Sequence, residues 1–252
     1  MGIGGIIVHA MQPPVPTTDD RRPMTRRLVL FDIDGTLITD GGAARMAFSE
    51  ALRSVYGYEG EVRRYDFSGR TDPQIASMVL RDAGWRDEEI TKRFDDLWRS
   101  YLDGLERSAT SDRVRALAGI PELLSALKSD GAVTLGLLTG NIERGARLKL
   151  APPALNEYFP FGAFGSDSAN REDLPPIAVE RASRIDGYRF TGSDVVIIGD
   201  SIYDIRCGVP YQATTIAIAS GKTPAEKLRA ENPRHFFHSA EDLGPLLKAI
   251  LD

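Results

Sequence analysis

The sequence predicts an α/β protein, a parallel sheet with helices on both faces, interrupted by an inserted helical segment. Four short apolar runs alternate with segments of helical spacing, as expected when parallel strands are joined by crossover helices. Each run ends in polar residues with glycine close by, and such sheets bind ligands at the carboxyl ends of their strands. After the first run the alternation is broken by residues 41–110, which contain no convincing strand.

The composition is that of a globular protein with a substantial core. The chain has 252 residues, 42% of them hydrophobic, and a formal net charge of −5. The acidic balance argues against nucleic acid as the main partner, because a phosphate backbone requires a basic surface. A single cysteine cannot form an internal disulfide, which favours the reducing cytoplasm. We therefore expect a cytoplasmic protein.

The first 25 residues match neither a signal peptide nor a membrane anchor. The apolar start, Met1–Ala10, lacks a basic n-region and is too short to span a bilayer, and a proline-rich segment follows it directly. We interpret residues 1–25 as a flexible lead-in and expect no membrane association.

The apolar runs are rich in branched residues and are predicted to form buried parallel strands. They are Arg27–Phe31, Val133–Leu138, Asp194–Ile198 and Ala213–Ala219, with a further short strand expected near Gly162–Gly165. Helices are predicted between them at Pro121–Ser129, Pro176–Ile185 and Tyr203–Val209.

The insert is predicted to be helical. Apolar side chains recur at helical spacing from Ala44 to Val55 and again from Ile90 to Leu105. Because the insert is much longer than the common connections between strands, we interpret residues 41–110 as a cap over a site at the sheet edge. Residues 26–40 and 111–252 then form the α/β core.

Two aspartates, Asp32 and Asp34, follow the first strand, and Gly35 lets the chain turn tightly after them. Two carboxylates so close are costly to ionise together without a cation. One can act as a nucleophile and the other as an acid–base group, with a metal offsetting the charge. An aspartate-rich turn that caps a helix would look the same, so this pair alone is weak support for a catalytic site.

Two other strand ends carry complementary groups. Asp200 and Asp204 follow the third main strand, and carboxylates are ligands that Mg²⁺ prefers. Thr139, Gly140 and Asn141 follow the second, where a hydroxyl and backbone amides at a helix start can bind an anion. Thr139 alone would be read as a helix cap, but three such strand ends are hard to explain by capping only.

In combination these motifs make the sequence resemble the haloacid dehalogenase (HAD) superfamily, in its phosphoglycolate phosphatase-like branch with a helical cap. The matching segments are Asp32–Thr36, Leu137–Asn141, Gly199–Asp204 and, in the cap, Gly69–Pro73. The resemblance spans about residues 27–245. It implies a Rossmann-like, HAD-like core with an inserted α-helical cap domain.

The resemblance also implies a role for each matching residue. Asp32 would attack phosphorus and form an aspartyl-phosphate, and Asp34 would protonate the leaving oxygen and then activate water. Mg²⁺ would be bound by Asp32, Asp200 and the backbone carbonyl of Asp34, while Asp204 would support the metal or orient the basic group. The transferring phosphoryl group would be held by Thr139, Gly140 and Asn141.

The sequence departs from the family pattern at the basic residue, usually lysine, that precedes the last acidic motif. No lysine occurs between Lys149 and Lys222. Arg171 lies in the corresponding window, and we expect it to grip Asp32 or a phosphoryl oxygen as the replacement. The alternative is a solvent-exposed loop arginine.

The activity implied is that of a Mg²⁺-dependent phosphatase acting on a small-molecule phosphomonoester, so the expected partner is a small phosphorylated metabolite. Arg70, in the cap, is a candidate for binding the substrate's anionic tail, or it forms a local ion pair with Asp72. A phosphomutase of the same superfamily is an alternative, because it needs the same two aspartates. A non-catalytic binding protein with this fold is another, supported by the altered basic motif. The oligomeric state stays open.

Overall fold

A computed structural model describes Met1 and residues 26–252. Apart from Met1, the predicted lead-in lies outside the described residues. No helix among the described residues has the length and hydropathy needed to cross a membrane.

Eight strands occur in the described part of the chain, six of them in one parallel sheet. In chain order the strands are β1 (Arg27–Phe31), β2 (Ile38–Thr39), β3 (Arg115–Ala116), β4 (Val133–Leu138), β5 (Gly162–Ala163), β6 (Val195–Gly199), β7 (Thr214–Ile218) and β8 (His235–Phe237). The sheet order is β5-β4-β1-β6-β7-β8, with every neighbouring pair parallel. Strands β2 and β3 pair separately and antiparallel. The first catalytic candidate therefore follows a central strand, β1.

The described helices lie between these strands, except for the last one, which follows β8. They are α1 (Ala43–Tyr56), α2 (Asp72–Asp82), α3 (Asp87–Thr91), α4 (Phe94–Ser108), α5 (Ile120–Ser129), α6 (Glu143–Leu150), α7 (Leu174–Asp186), α8 (Ile202–Gly208), α9 (Ala225–Ala230) and α10 (Leu243–Leu251). Helices α1–α4 fall between β2 and β3, and we call residues 41–110 the helical insert.

Both faces of the sheet are covered by apolar side chains. In β1, Val29 and Phe31 belong to one buried cluster, whereas Leu28 and Leu30 belong to another. This alternation is the two-residue period of a strand that is buried on both sides. The parallel α/β fold predicted from the sequence is confirmed, because the runs around 29, 135, 197 and 216 all form strands of this sheet.

The helical insert has an apolar cluster of its own. Phe48 of α1 packs edge-on against Tyr101 of α4, with ring centroids 5.4 Å apart, and against Phe67, at 5.7 Å. The cluster also takes in Ile142 from the loop after β4, so the insert packs on the core beside the strand ends.

Candidate active site

Three neighbouring strands bring the main candidate residues together. In the sheet, β1 lies between β4 and β6, so Asp32, Thr139 and Asp200, which each follow one of these strands, stand side by side. All three side chains are buried. The backbone N–H of Asp32 donates to the carbonyl of Ile198 (3.0 Å), which continues the ladder up to the site.

The carboxylate of Asp32 sits in a buried and acidic environment. Burial raises its pKa to about 7; the positive charge of Arg171 opposes that shift, and the carboxylates of Asp204 and Asp34 add to it. A carboxylate buried among others needs cations around it to be fully ionised at neutral pH, and the site supplies one in Arg171.

Arg171 reaches this carboxylate from the short 3₁₀ turn that precedes α7. The side chain of Asn170 accepts a hydrogen bond from the backbone N–H of Glu172 and so caps the turn. Only 4% of the Arg171 side chain is exposed, which rules out the alternative of a loop arginine in solvent. Its Nη2 donates to Asp32 Oδ1 (3.1 Å), to the carbonyl of Leu138 (3.1 Å) and to Asp204 Oδ1.

Asp204 is tied to protein donors through both oxygens. Its Oδ2 accepts from the backbone N–H (2.9 Å) and the hydroxyl (2.6 Å) of Ser201, forming a capping box at the start of α8. Its Oδ1 faces Arg171. Of the two roles expected for Asp204, these contacts favour orienting the basic group.

The Asp200 carboxylate lies close against the backbone of two glycines. Its Oδ1 accepts from the Thr36 hydroxyl (3.3 Å), and a Cβ added to Gly35 or Gly221 would overlap its carboxylate. Burial raises the pKa of Asp200 well above its usual value, and the nearby carboxylates, Asp32 first, raise it further.

The carboxylates of Asp32, Asp200 and Asp204 offer oxygens that lie within 4.8 Å of one another. This donor set suits a hard divalent cation, which prefers oxygen ligands. Three carboxylates with one guanidinium, that of Arg171, leave negative charge uncompensated in this cluster. The residues present therefore fit a metal ion at the end of β1, with Asp204 held by Arg171 and Ser201. The Asp34 side chain lies outside the cluster.

Asp34 is held in place by a lysine that the sequence analysis did not single out. Its Oδ2 accepts from Lys149 Nζ (2.7 Å) and from Asn141 Nδ2 (2.8 Å). Asn141 Nδ2 also lies 2.8 Å from Thr139 Oγ1. The sequence does contain a feature that points to Lys149. It lies on the buried face of α6 beside Ala146 and Leu150, where a lysine is unusual.

The helical insert docks onto two of these loops through hydrogen bonds at the start of α2. The backbone N–H of Asp72 donates to the carbonyl of Gly140 (2.8 Å), and its Oδ2 accepts from the backbone N–H of Ile142 (2.8 Å). The Thr71 hydroxyl donates to the carbonyl of Ala169 (2.7 Å). A Cβ at Gly140 would overlap the carbonyl of Arg70, so the insert also comes close to the core at Gly140.

A cavity of about 1090 Å³ lies between the strand ends and the insert. Asp32, Asp34 and Arg171 line it from the core, and Arg70 lines it from the insert. Arg70 lies 5.2 Å from the ring centroid of Tyr203, and its Nε has no hydrogen-bond partner among the described residues. No ion pair joins Arg70 to Asp72 in the described part of the chain, since the Asp72 carboxylate is bonded to the core.

Comparison with known proteins places this arrangement in a family. A family model described as haloacid dehalogenase-like hydrolase matches residues 26–209, and a second, related model matches residues 175–244.

Among curated proteins, a candidate pyrophosphatase, PpaX, of Caldanaerobacter subterraneus subsp. tengcongensis is 25% identical over 88% of this chain and 93% of its own length. A phosphoglycolate phosphatase of Vibrio vulnificus is 23% identical over 89% of this chain and 96% of its own.

Solved structures share the fold. A hydrolase from Pseudomonas syringae superposes with a TM-score of 0.69 at 20% identity, covering 89% of this chain and 99% of the other. A candidate β-phosphoglucomutase from Bacteroides vulgatus superposes with a TM-score of 0.64 at 21% identity, covering 90% of this chain and 89% of the other.

Proposed function

The chain belongs to the haloacid dehalogenase-like hydrolase family, and from this premise we propose that it is a Mg²⁺-dependent phosphatase that hydrolyses a small-molecule phosphomonoester. The observation that carries the proposal is the surroundings of Asp32. It is a buried carboxylate paired with Arg171 at 3.1 Å, and one of its oxygens belongs to a three-aspartate cluster that fits a divalent cation. Asp34, a second carboxylate, lines the same cavity.

In the first half of the proposed reaction, a carboxylate oxygen of Asp32 attacks the phosphorus atom and the bond from phosphorus to the leaving oxygen breaks. The carboxylic acid of Asp34 gives its proton to that oxygen, so an alcohol leaves and an aspartyl-phosphate remains. Arg171 orients the attacking carboxylate through the contact with Asp32 Oδ1.

In the second half, the Asp34 carboxylate takes a proton from water, and the oxygen of that water attacks the phosphorus. The bond from phosphorus to Asp32 breaks, which releases inorganic phosphate and restores the free carboxylate. The Thr139 hydroxyl oxygen accepts from Asn141, so its hydrogen is available to a phosphoryl oxygen. Donors placed in this way stabilise the charge of a phosphoryl group in transfer.

Mg²⁺ would be held by Asp32, Asp200 and the backbone carbonyl of Asp34. Its chemistry there is to offset the negative charge of the carboxylates and of the phosphoryl oxygens. Asp204 would hold the Arg171 guanidinium in position beside Asp32 through its own contact with it.

The proposed partner is a small phosphorylated metabolite, because the helical insert covers the strand ends and leaves a bounded cavity between itself and the core. Arg70 is proposed to meet a second anionic group of that molecule. The names of the relatives, phosphoglycolate phosphatase and pyrophosphatase, support starting with small phosphates that carry a second anionic group.

The test is phosphate release measured with Mg²⁺ and with excess EDTA. Substrates are an aryl phosphate, phosphoglycolate, pyrophosphate and a panel of sugar phosphates, and Asp32→Asn is the control. We expect Mg²⁺-dependent release that the control lacks, and an acid-stable phosphoenzyme in rapid-quench samples of the wild-type protein alone.

Two other results would replace the proposal. An isomerised sugar phosphate without free phosphate would indicate a phosphomutase. Absence of release from every substrate by the folded wild-type protein would indicate a non-catalytic binding protein.

A further inference from the structure

Lys149 is a buried lysine at the last turn of α6. Only 4% of its side chain is exposed. Its Nζ lies 2.7 Å from Asp34 Oδ2 and 2.6 Å from Asn141 Oδ1. A lysine near a helix C-terminus is favourable on electrostatic grounds alone, but both of these hydrogen bonds go to side chains that line the proposed catalytic cavity.

The second contact fixes which way the Asn141 amide points. With Oδ1 accepting from Lys149, the amide nitrogen must face the other side, where it meets Asp34 Oδ2 at 2.8 Å and Thr139 Oγ1 at 2.8 Å. An ammonium group can only donate, so it allows no flipped amide at this position.

The two contacts together hold one oxygen of Asp34 and leave the other open. Oδ2 accepts from both Lys149 and Asn141, whereas no donor in the described part of the chain bonds Oδ1. The Asp34 side chain is 40% exposed, so without these two donors little else would fix its direction in the cavity.

Lys149 is positively charged despite its burial. Burial lowers the pKa of Lys149, but the neighbouring acidic groups, Asp34 first, outweigh that effect and raise it. A buried ammonium without such partners would be costly, and here its partners belong to the site.

We propose that Lys149 is a positioning residue: its ammonium holds Asp34 through Oδ2 and locks the Asn141 amide, so that Oδ1 of Asp34 is the oxygen that exchanges a proton with the leaving group and with water. This inference rests on the proposed phosphatase activity. It adds a second basic residue to the site, one that serves the acid–base carboxylate, whereas Arg171 serves the nucleophile.

The proposal predicts a loss that depends on the leaving group. A poor leaving group needs a proton from Asp34 as its bond to phosphorus breaks, whereas a nitrophenolate leaves without one. The ratio kcat/KM covers the steps up to release of that group, so it isolates this proton transfer from the later hydrolysis of the phosphoenzyme.

The experiment compares Lys149→Met with the wild-type protein on p-nitrophenyl phosphate and on alkyl phosphates. We expect kcat/KM to fall about 100-fold for the alkyl phosphates and less than about fivefold for p-nitrophenyl phosphate. Lys128→Met, which removes an exposed lysine paired with Glu157, serves as the matched control and should change neither. Equal losses on both substrates would reduce Lys149 to a structural role and overturn the proposal.

A crystal structure of the variant gives a readout that needs no activity. We expect the Asp34 carboxylate or the Asn141 amide to have turned, so that the 2.8 Å hydrogen bond between them is lost; its survival would overturn the proposal. If Lys149→Met does not fold, Lys149→Gln, whose amide tolerates burial, replaces it in both measurements. A wild-type protein without phosphatase activity would remove the proposed function, and the crystal structure would still decide the positioning role.

Discussion

Arg171 makes contacts that a lysine in its place could not all make. Its guanidinium meets two carboxylates and two backbone carbonyls, and both nitrogens of the fork take part. The partners are Asp32, Asp204 and the carbonyls of Leu138 and Gly69. A planar group with five donors can face several acceptors at fixed angles, whereas an ammonium is a point charge with three donors.

Arg171→Met is expected to lower both activity and stability. The substitution leaves Asp32 and Asp204 buried without their cation. Removing one partner of a buried ion pair lowers the free energy of unfolding by about 3–5 kcal/mol. We expect kcat on an aryl phosphate to fall at least about 100-fold. Steady-state kinetics and urea unfolding measure the two effects.

The matched control is Arg181→Met, in the helix that follows. Arg181 pairs with Asp167 at a partly exposed position, so its loss should cost less than the loss of the buried Arg171. Arg171→Lys should recover part of the stability and less of the activity. Unchanged turnover in Arg171→Met would contradict the role given to this residue.

At the residue scale, the sequence predicted the groups that stand at strand ends but not the one that reaches the site from a helix. The sheet alone predicts that three of these groups lie close together, because each directly follows an apolar run: Asp32, Thr139 and Asp200. Lys149 approaches from α6, eight residues beyond Asn141, and its direction depends on how that helix packs. The sequence feature that indicates Lys149 is its place among apolar residues on one face of α6.

At the scale of elements, the start of α2 is where hydrogen bonds join the helical insert to the core. Thr71 caps the helix by accepting from the backbone N–H of Gln74, and the next residue, Asp72, bonds to the loop after β4. Because the Asp72 carboxylate is buried, its pKa is raised to about 6; Lys149 and the backbone N–H of Ile142 oppose that rise, and Asp34 adds to it.

Asp72→Asn is expected to change how stability depends on pH. Below about pH 4 Asp72 is protonated in both folded and unfolded chains, so the two proteins should differ by a constant amount. From about pH 4 to 6 the unfolded wild-type chain gives up this proton and the folded one keeps it, so wild-type stability falls relative to the variant. A shift from 3.8 to about 6 corresponds to about 3 kcal/mol.

Urea unfolding of both proteins across about pH 4–8 measures this difference. The free energy of unfolding of Asp72→Asn minus that of the wild-type protein should rise through about pH 6. It should stay flat above about pH 7, because Asp72 is then ionised in both the folded and the unfolded state. The side-chain oxygen of the introduced asparagine can still accept from the backbone N–H of Ile142, so the hydrogen bond itself is retained. A difference that is the same at every pH would show that the Asp72 carboxyl is not buried as described.

The main strands of the sheet were predicted well, and so was the two-residue strand β5, but the nine-residue helix α10 was not predicted. The main strands and helix α5 were placed within one residue, because each has enough residues to show a period. Strands β2, β3 and β8 were not predicted. They have two or three residues each, and pairing with a distant segment, which no local pattern reveals, decides that they form.

At the scale of the whole molecule, the buried acidic cluster predicts that a bound cation would stabilise the folded state. The carboxylates at the ends of β1 and β6 are buried, and burial raises the pKa of both Asp32 and Asp200. A divalent ion that binds the folded chain alone stabilises it by mass action, by about 2.7 kcal/mol at one hundred times its dissociation constant.

We therefore expect Mg²⁺ to raise the unfolding temperature, as measured by calorimetry after dialysis against EDTA. Gly221→Ala should weaken this effect, because a Cβ there would push on the Asp200 carboxylate. Gly244→Ala is the matched control, since a Cβ at Gly244 meets nothing within 4 Å. An identical Mg²⁺ response in all three proteins would place the ion elsewhere.

The pairing of β2 with β3 has a consequence for how this chain tolerates change. Ile38 lies beside Ala116 and Thr39 beside Arg115, so the segment between them leaves and rejoins the core at one place. The entropy lost in closing such a loop grows only with the logarithm of its length, by about 0.6 kcal/mol for each doubling. Segments of very different length and sequence can therefore be exchanged at this junction while the strands that carry the aspartates keep their register, which makes it a natural site for recombination and for grafting a different lid.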